Sequence, residues 1–532
     1  MLFEPMIMKP GDALIDAFGN PSVLEEGVVY RPSGCFEQAC AQAYSGDQPV
    51  QMDAWVIRFH LKEGLLWSNG NPLTADDSVY SYEVAEALYP AALPTLIQQT
   101  HSYQAQDNLT VEWRGVPGYL DGDIAGKFFS PLPRTVWGAL KPEELGTAEV
   151  SARTPLGWGA YQIQEWVGGD HITLQKNPNY FHSAEGLPAF DILTFRFMPD
   201  GSEAVDALRA GECDLVDPNA VQDIPLSEIQ SLQEQAEVNT VLVPETAWEQ
   251  ILLGVDPLDE GSPRFFAAKE VRQAVALCID RQALAEQLFG GLSEPAQAYV
   301  SAENPFFNPD AVLSSYDPEQ GQDLLQKSGW VDLDNNPQTP RISQGVTGLP
   351  DNTAFSLDYL VSPEAQRQAA AKAVQADLAK CGIEINLVTQ ESQQYLEPGP
   401  DGPVFGRHFQ MAQFAWPATW EPPCYLYTSD EVPGPYPDYP KAWGGVNAAG
   451  YTNPAYDVAC RDGRFTLAES SLHTQAYFQA QATLAEDLPA IPLYWYFKSV
   501  LTRPDFCGLE LDASTQEPFW NIEVFNYGEG CK

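Results

Sequence analysis

Basic side chains are scarce in this chain of 532 residues: 28 Lys and Arg stand against 73 Asp and Glu, a formal net charge of −45. Nucleic-acid binding needs clustered cations to neutralise phosphates, so a surface of this sign argues against it. An anionic membrane surface is repelled for the same reason. The acidity is read as solubility and colloidal stability rather than as recognition of a cationic ligand. No run approaches the ~20 consecutive apolar residues that a membrane-spanning helix needs. Met1-Leu-Phe-Glu-Pro5 has neither the basic region nor the apolar core of a secretory signal, so for an exported protein either the signal has been removed or this sequence starts inside a longer gene product.

Catalytic signatures are missing as well. There is no Gly-x-Ser-x-Gly elbow, no His-Glu-x-x-His helix, no phosphate-binding loop and no Gly-x-Gly-x-x-Gly turn. The six histidines (60, 101, 171, 182, 408, 473) are dispersed, and the chain is expected to use no catalytic residue, metal or cofactor. Paired carboxylates could serve a glycosidase, but 73 acidic residues guarantee chance pairs, so that signal discriminates nothing. Asp332-Leu-Asp-Asn-Asn336 mimics the start of a calcium loop. Pro337 stands where such a loop needs Gly, and Ser343 where it needs Glu, so a turn is expected. Cysteine pairs at zinc-ligand spacing, internal repeats and low-complexity tracts are absent too.

What is present suits a large folded protein. Apolar residues make up 44% and aromatics 11% of the chain. Its length exceeds the ~250–300 residues at which one core stops growing, so at least two lobes are expected. Nine scattered cysteines (35, 40, 213, 278, 381, 424, 460, 507, 531) fit a partly disulfide-bonded extracytoplasmic protein. On nearness in sequence the expected pairs are Cys35–Cys40, Cys424–Cys460 and Cys507–Cys531, with at least one thiol left over. Cys278, inside a helical apolar pattern, reads as a buried small hydrophobe. The 44 prolines, dense at 398–403 and 422–440, mark long surface loops.

Local order alternates between strands and helices, which predicts α/β layers. Trp55, Ile57, Phe59 and Leu61 alternate with Val56, Arg58, His60 and Lys62, the period of a strand with one buried face. Asn69-Gly70 supplies a turn, and Thr74 an N-cap with Asp77 three residues on, where a capping box more often has Glu. A strand is expected over 190–197, a short helix over 201–210 and a strand end at 214–217. Residues 355–360, 363–380 and 383–388 read as a βαβ unit with a parallel strand pair, its helix stopped by Gly382.

Several of these segments together resemble the family-5 extracellular solute-binding proteins, the oligopeptide- and dipeptide-binding type that feeds ABC importers. Carrying the resemblance are Trp55 to Ser81, with its Pro72-Leu-Thr-Ala-Asp-Asp77 helix opening, and the early Leu2-Phe-Glu-Pro5. Thr154-Pro-Leu-Gly-Trp-Gly-Ala-Tyr161, Ile172 to Tyr180 and Leu208-Arg-Ala-Gly-Glu-Cys-Asp214 follow in the family's order. Val271 to Arg281 and Asp317-Pro-Glu to Trp330 complete the set. The resemblance implies a two-lobed periplasmic-binding-protein-like fold (type II): residues 1–254 as lobe I, with an extra subdomain at about 12–150, residues 255–491 as lobe II, and 492–532 returning to lobe I. It further implies an extracytoplasmic monomer, with a lipid anchor left open. That monomer would capture a small organic solute, peptide-like or oligosaccharide, and pass it to ABC permease subunits.

For the site, the region Phe414 to Tyr427 is rich in flat amphipathic rings suited to holding a small solute. Trp416, Thr419, Trp420, Glu421 and Tyr425 are the ligand-binding candidates there. In peptide-binding relatives this place reads Gly-Trp-x-x-Asp-x-x-Asp-Pro, and the first Asp pairs with the ligand's ammonium group. Here Trp416 takes the Trp position and Thr419 the Asp position, and a neutral hydroxyl cannot replace that ion pair. Trp248 and Trp158 are candidates from outside this region, packing in a lobe core being the more expected use of Trp158. The rival readings are a secreted hydrolase on an α/β scaffold and a solute-sensing receptor without a permease.

Overall fold

A computed structural model describes residues 2–531 apart from 122, 222–223, 225, 260–261, 291–292, 335, 337–338, 418–419, 468–469 and 511–518. It divides into two compact units. The first comprises 1–243, 465–470 and 498–532, the second 244–464 and 471–497.

The first unit opens with strand β1 (Leu2–Met8), which pairs antiparallel with β2 (Val50–His60). The expected strand–turn–helix follows: Gly70 takes φ 84° in the turn, and helix α1 spans Ala75–Ala87 from the Thr74 cap. Asp77 stands in for the usual Glu because it does more than close the box. Its Oδ2 accepts from the Thr74 N–H (2.9 Å) and from Trp67 Nε1 (3.2 Å), while Oδ1 accepts from the Arg134 N–H (3.1 Å). The shorter side chain thereby ties three chain segments together. Strands β3 (Thr100–Ala105) and β4 (Thr110–Gly115) complete a sheet of order β1-β2-β4-β3. Val56 is buried as well as Trp55 and Ile57, and one face of β2 packs Trp55 edge-on to Trp113 at 5.7 Å.

Strands β5 (Tyr161–Val167), β6 (His171–Lys176) and β7 (Ile192–Arg196) form a second antiparallel sheet. Helix α2 (Gly201–Arg209) starts at Asp200, whose carboxylate accepts from the Glu203 N–H, and leads to the short β8 (Leu215–Val216). These match the helix and strands expected over 190–217.

Strand β9 (Asn239–Leu253) leaves the first unit between residues 243 and 244 and enters the second. There, helix α3 (Lys269–Leu277) precedes the expected βαβ unit: β10 (Ser356–Val361), α4 (Ala365–Lys380) and β11 (Glu384–Thr389), the two strands parallel and in register. Gly382 stops α4 at φ 75°, where a Cβ would also press on Arg341. Strand β12 (Met411–Pro417) pairs antiparallel with β9 and parallel with β10. Strand β13 (Ala490–Thr502) returns to the first unit between 497 and 498, ending against β8. Strands β14 (Phe506–Cys507) and β15 (Asn526–Tyr527) close the chain, and the Ala189 N–H donates to the Glu523 carbonyl at 2.8 Å. Strand order in the largest sheet is β8-β13-β9-β12-β10-β11.

The unit boundaries fall at 243/244 and 497/498, not at the expected 254/255 and 491/492. The physical reason is that β9 and β13 are single uninterrupted strands of 15 and 13 residues, so each crossing lies inside a strand. Gly254, expected near a crossing, meets a different need: a Cβ there would sit 2.5 Å from the Phe409 carbonyl oxygen.

Four disulfides are formed: Cys35–Cys40, Cys424–Cys460, Cys507–Cys531 and Cys278–Cys381. The fourth corrects the reading of Cys278 as a small hydrophobe. Cys278 caps the C-terminus of α3 and Cys381 that of α4, and packing of the second unit brings their Cα atoms to 6.3 Å across 103 residues of sequence. Cys213 is the free thiol. Beyond Trp330, the Asp332 carboxylate accepts from the Asp334 N–H and that of Asp334 from the Asn336 N–H, as in a turn; 335, 337 and 338 lie outside the described residues.

Candidate functional site

The second unit's part of the large sheet has two different faces, set by the alternation of β9. Trp248, Gln250 and Leu252 point one way, and Glu249, Ile251 and Leu253 the other. On β12, Trp416 lies opposite Trp248, Phe414 opposite Gln250 and Ala412 opposite Leu252.

The first face is aromatic. Trp248 packs on Trp495 at 5.9 Å, and Trp416 meets Phe414 (5.8 Å) and Phe405 (6.4 Å). A short 3-10 turn, Cys424–Tyr427, lies over this face and places Tyr425 and Tyr427 in the same cluster as Trp248 and Trp416. The turn is fastened by the Cys424–Cys460 disulfide and by the Tyr456 hydroxyl, which donates to the Cys424 carbonyl at 2.7 Å. Tyr427 donates to Gln250 Oε1 at 2.5 Å, and the Arg464 guanidinium lies 5.1 Å over the Tyr425 ring. Burial pushes the Tyr427 hydroxyl well up from its ordinary pKa.

The second face is polar and buried. Glu249, fully enclosed, accepts at Oε1 from Arg367 Nε (3.0 Å) and Gln413 Nε2 (2.8 Å), and at Oε2 from Tyr496 (2.8 Å). Tyr359 donates to Gln413 Oε1 at 2.6 Å, and Arg367 reaches Ser362 Oγ at 3.3 Å. Desolvation raises the Glu249 pKa, with Arg367 and the hydrogen bonds acting against it. The facing carboxylate raises the Arg367 pKa and holds the guanidinium charged. This face contains none of the residues expected from sequence. The only signal was Glu249-Gln250 itself, a polar pair inside an otherwise apolar strand run.

Of the sequence candidates, the structure brings Trp248, Trp416 and Tyr425 into one cluster in the second unit. Trp248 is completely enclosed, Trp416 and Tyr425 are half-buried, and Trp420 is 61% exposed, its carbonyl accepting from Asn304 Nδ2. Glu421 is half-buried in the approach to the 3-10 turn. Thr419 lies outside the described residues. Trp158 belongs to the first unit and is 36% exposed, so it is not the core residue that its motif led us to expect. The first unit has its own cavity of about 400 Å³, lined by Phe190, Phe195 and Phe519 together with Arg196, Asp214 and Asp217, which no candidate residue touches.

The sequence model of the bacterial extracellular solute-binding proteins, family 5 Middle, matches residues 45–436, most of this length. The chain belongs to that family. This family-5 solute-binding protein is 24% identical over 449 residues to the oligopeptide-binding protein AppA of Bacillus subtilis, a match covering 82% of this chain and 74% of AppA. It is 25% identical over 500 residues to the dipeptide-binding protein of Escherichia coli, covering 89% and 84% of the two chains. Among solved structures, Bacillus subtilis AppA in complex with a nonapeptide superposes with a TM-score of 0.62 at 20% identity, over 98% of this chain and 93% of that one. NikA from Brucella suis in complex with Fe(III)-EDTA gives 0.69 at 17% identity, over 98% and 94%. At such identities the likeness concerns the fold, which is the mixed α/β class of the two-lobed periplasmic binding proteins. Among the described residues, no helix of this family-5 protein is long and apolar enough to cross a membrane.

Proposed function

We propose that this protein is the extracytoplasmic solute-capturing component of an ABC importer, a binder that carries out no covalent chemistry. The observation that carries this reading is the aromatic face of the second unit, where Trp416 lies in register with Trp248 and beside Tyr425. Flat rings give contact area at little cost in conformational entropy, which suits capture and release of small solutes. Peptide-like solutes are favoured because relatives such as AppA and the Escherichia coli dipeptide-binding protein are named for them. Thr419, at the family's Asp position, argues that the contact to an N-terminal ammonium is weakened. The proposed ligand-binding set in the second unit is Trp416, Trp420, Glu421, Tyr425 and Trp248, with Thr419 and Trp158 kept as candidates from the sequence alone.

Capture proceeds by selection of a closed state, with energy from differential contacts. A thermal-shift screen of peptides against oligosaccharides tests this, followed by small-angle scattering on each hit. Peptides that raise the melting temperature and shrink the radius of gyration support the reading. Stabilisation by oligosaccharides alone transfers the site to sugars, and no shift with either class overturns it.

A further inference from the structure

Trp248 and Gln250 present two buried donors to the aromatic face. Both residues are fully enclosed, and neither Trp248 Nε1 nor Gln250 Nε2 has a hydrogen-bond partner among the described residues. They are two apart on β9, so both side chains lie on the same face, and Gln250 is already oriented: its Oε1 is occupied by Tyr427, which turns the NH2 end the other way. A buried N–H without an acceptor is destabilising, and each one in a folded protein calls for an explanation. The Glu249 carboxylate points to the opposite face, where Arg367 pairs with it. Trp416, the cross-strand neighbour of Trp248, is half-buried.

We propose that Trp248 Nε1 and Gln250 Nε2 form a donor pair that receives a carbonyl or carboxylate oxygen of the bound solute, so that the site recognises an acceptor where relatives rely on an ammonium. This rests on the capture function above and adds the chemistry of its ligand. In a peptide the oxygen comes from the main chain or from the C-terminal carboxylate.

Calorimetric titration with di-, tri- and pentaalanine and their C-terminal amides, on the wild type, Trp248→Phe and Gln250→Glu, separates these sources. Gln250→Glu keeps an oxygen for Tyr427 and, as the carboxylate at pH 8, offers no donor. Each variant is expected to bind at least tenfold more weakly. Amides that bind as tightly as acids assign the oxygen to the main chain, and amides that bind far more weakly assign it to the carboxylate.

Because a substitution can weaken binding by loosening the core, the indole N–H resonance of Trp248, identified by its loss in Trp248→Phe, gives a second readout. It is expected at the position of a free indole without solute and to move downfield on saturation. Unchanged affinity in both variants, or a ligand-free resonance already at the hydrogen-bonded position, overturns the donor pair. A wild type that binds no peptide defeats the peptide reading instead, while the ligand-free resonance still decides whether the donor is available.

Discussion

Replacing Glu249 by Ala tests the buried polar face most directly. The carboxylate is fully enclosed and accepts three hydrogen bonds, so its loss leaves Arg367, Gln413 and Tyr496 each without that partner. Removing one member of a buried ion pair costs about 3–5 kcal/mol, because an uncompensated charge stays behind. Arg367 is 18% exposed and has Glu364 at 3.6 Å as a second partner, which places the expected loss near 3 kcal/mol at the low end of that range. Hydrogen exchange of amides in 247–253 and 411–417, followed by mass spectrometry, reads the opening of this part of the sheet without requiring the whole chain to unfold in one step. At about 1.4 kcal/mol per tenfold, exchange there should speed up by roughly a hundredfold. Arg367→Met alone should also destabilise, and in the double variant the two losses should fall short of additive by about 2 kcal/mol. A Glu249→Ala protein that exchanges within fivefold of wild type, or a strictly additive double variant, would show that the network contributes little and that the argument from burial is wrong.

Trp416→Ala should weaken solute binding at least tenfold by titration calorimetry, and an affinity within twofold of wild type would remove this ring from the site. Thr419→Asp should raise affinity for peptides with a free N-terminus but not for their N-acetyl forms; equal behaviour of the two would show that Thr419 does not occupy the ammonium position. Cys278→Ser with Cys381→Ser opens a closure spanning 103 residues, worth roughly 4–5 kcal/mol in a chain-entropy account. Scanning calorimetry should therefore show a lower transition for the second unit, and an unmoved transition would contradict that account. His171 is held above its ordinary 6.5, first by the hydrogen bond to Asp170 and further by Glu165. Since its folded pKa lies above the unfolded one, its stabilising contribution is full below about 6.5 and fades as pH rises through the folded value. An NMR titration placing its midpoint at or below 6.5 would refute the pairing.

Local features were legible wherever the deciding contacts lie close together in the chain. The Asn69-Gly70 turn, the Thr74 cap and the unit from Ser356 to Thr389 follow from turn chemistry, capping and a two-residue period, and they form as expected. The three short-range disulfides form as expected for the same reason. Cys278–Cys381 escaped because its geometry arises only when two helix ends meet. The Glu249 network draws on residues 249, 367, 413 and 496 from four separate elements, and nothing local marks Arg367 or Tyr496 as its members. At Trp248 the residue type suggested a ring turned to the ligand. Packing encloses that ring completely, its indole N–H included, and leaves the N–H without a partner among the described residues.

The first unit is assembled from three stretches of chain, and the last of them is Lys498–Lys532. A growing polypeptide therefore cannot finish that half until residues 498–532 emerge, whereas the second unit has all of its described strands by Phe497. Made or threaded from the N-terminus, the molecule should acquire protease resistance in its middle before its beginning, and a truncation near residue 497 should leave an orphaned amino-terminal portion for quality control to find.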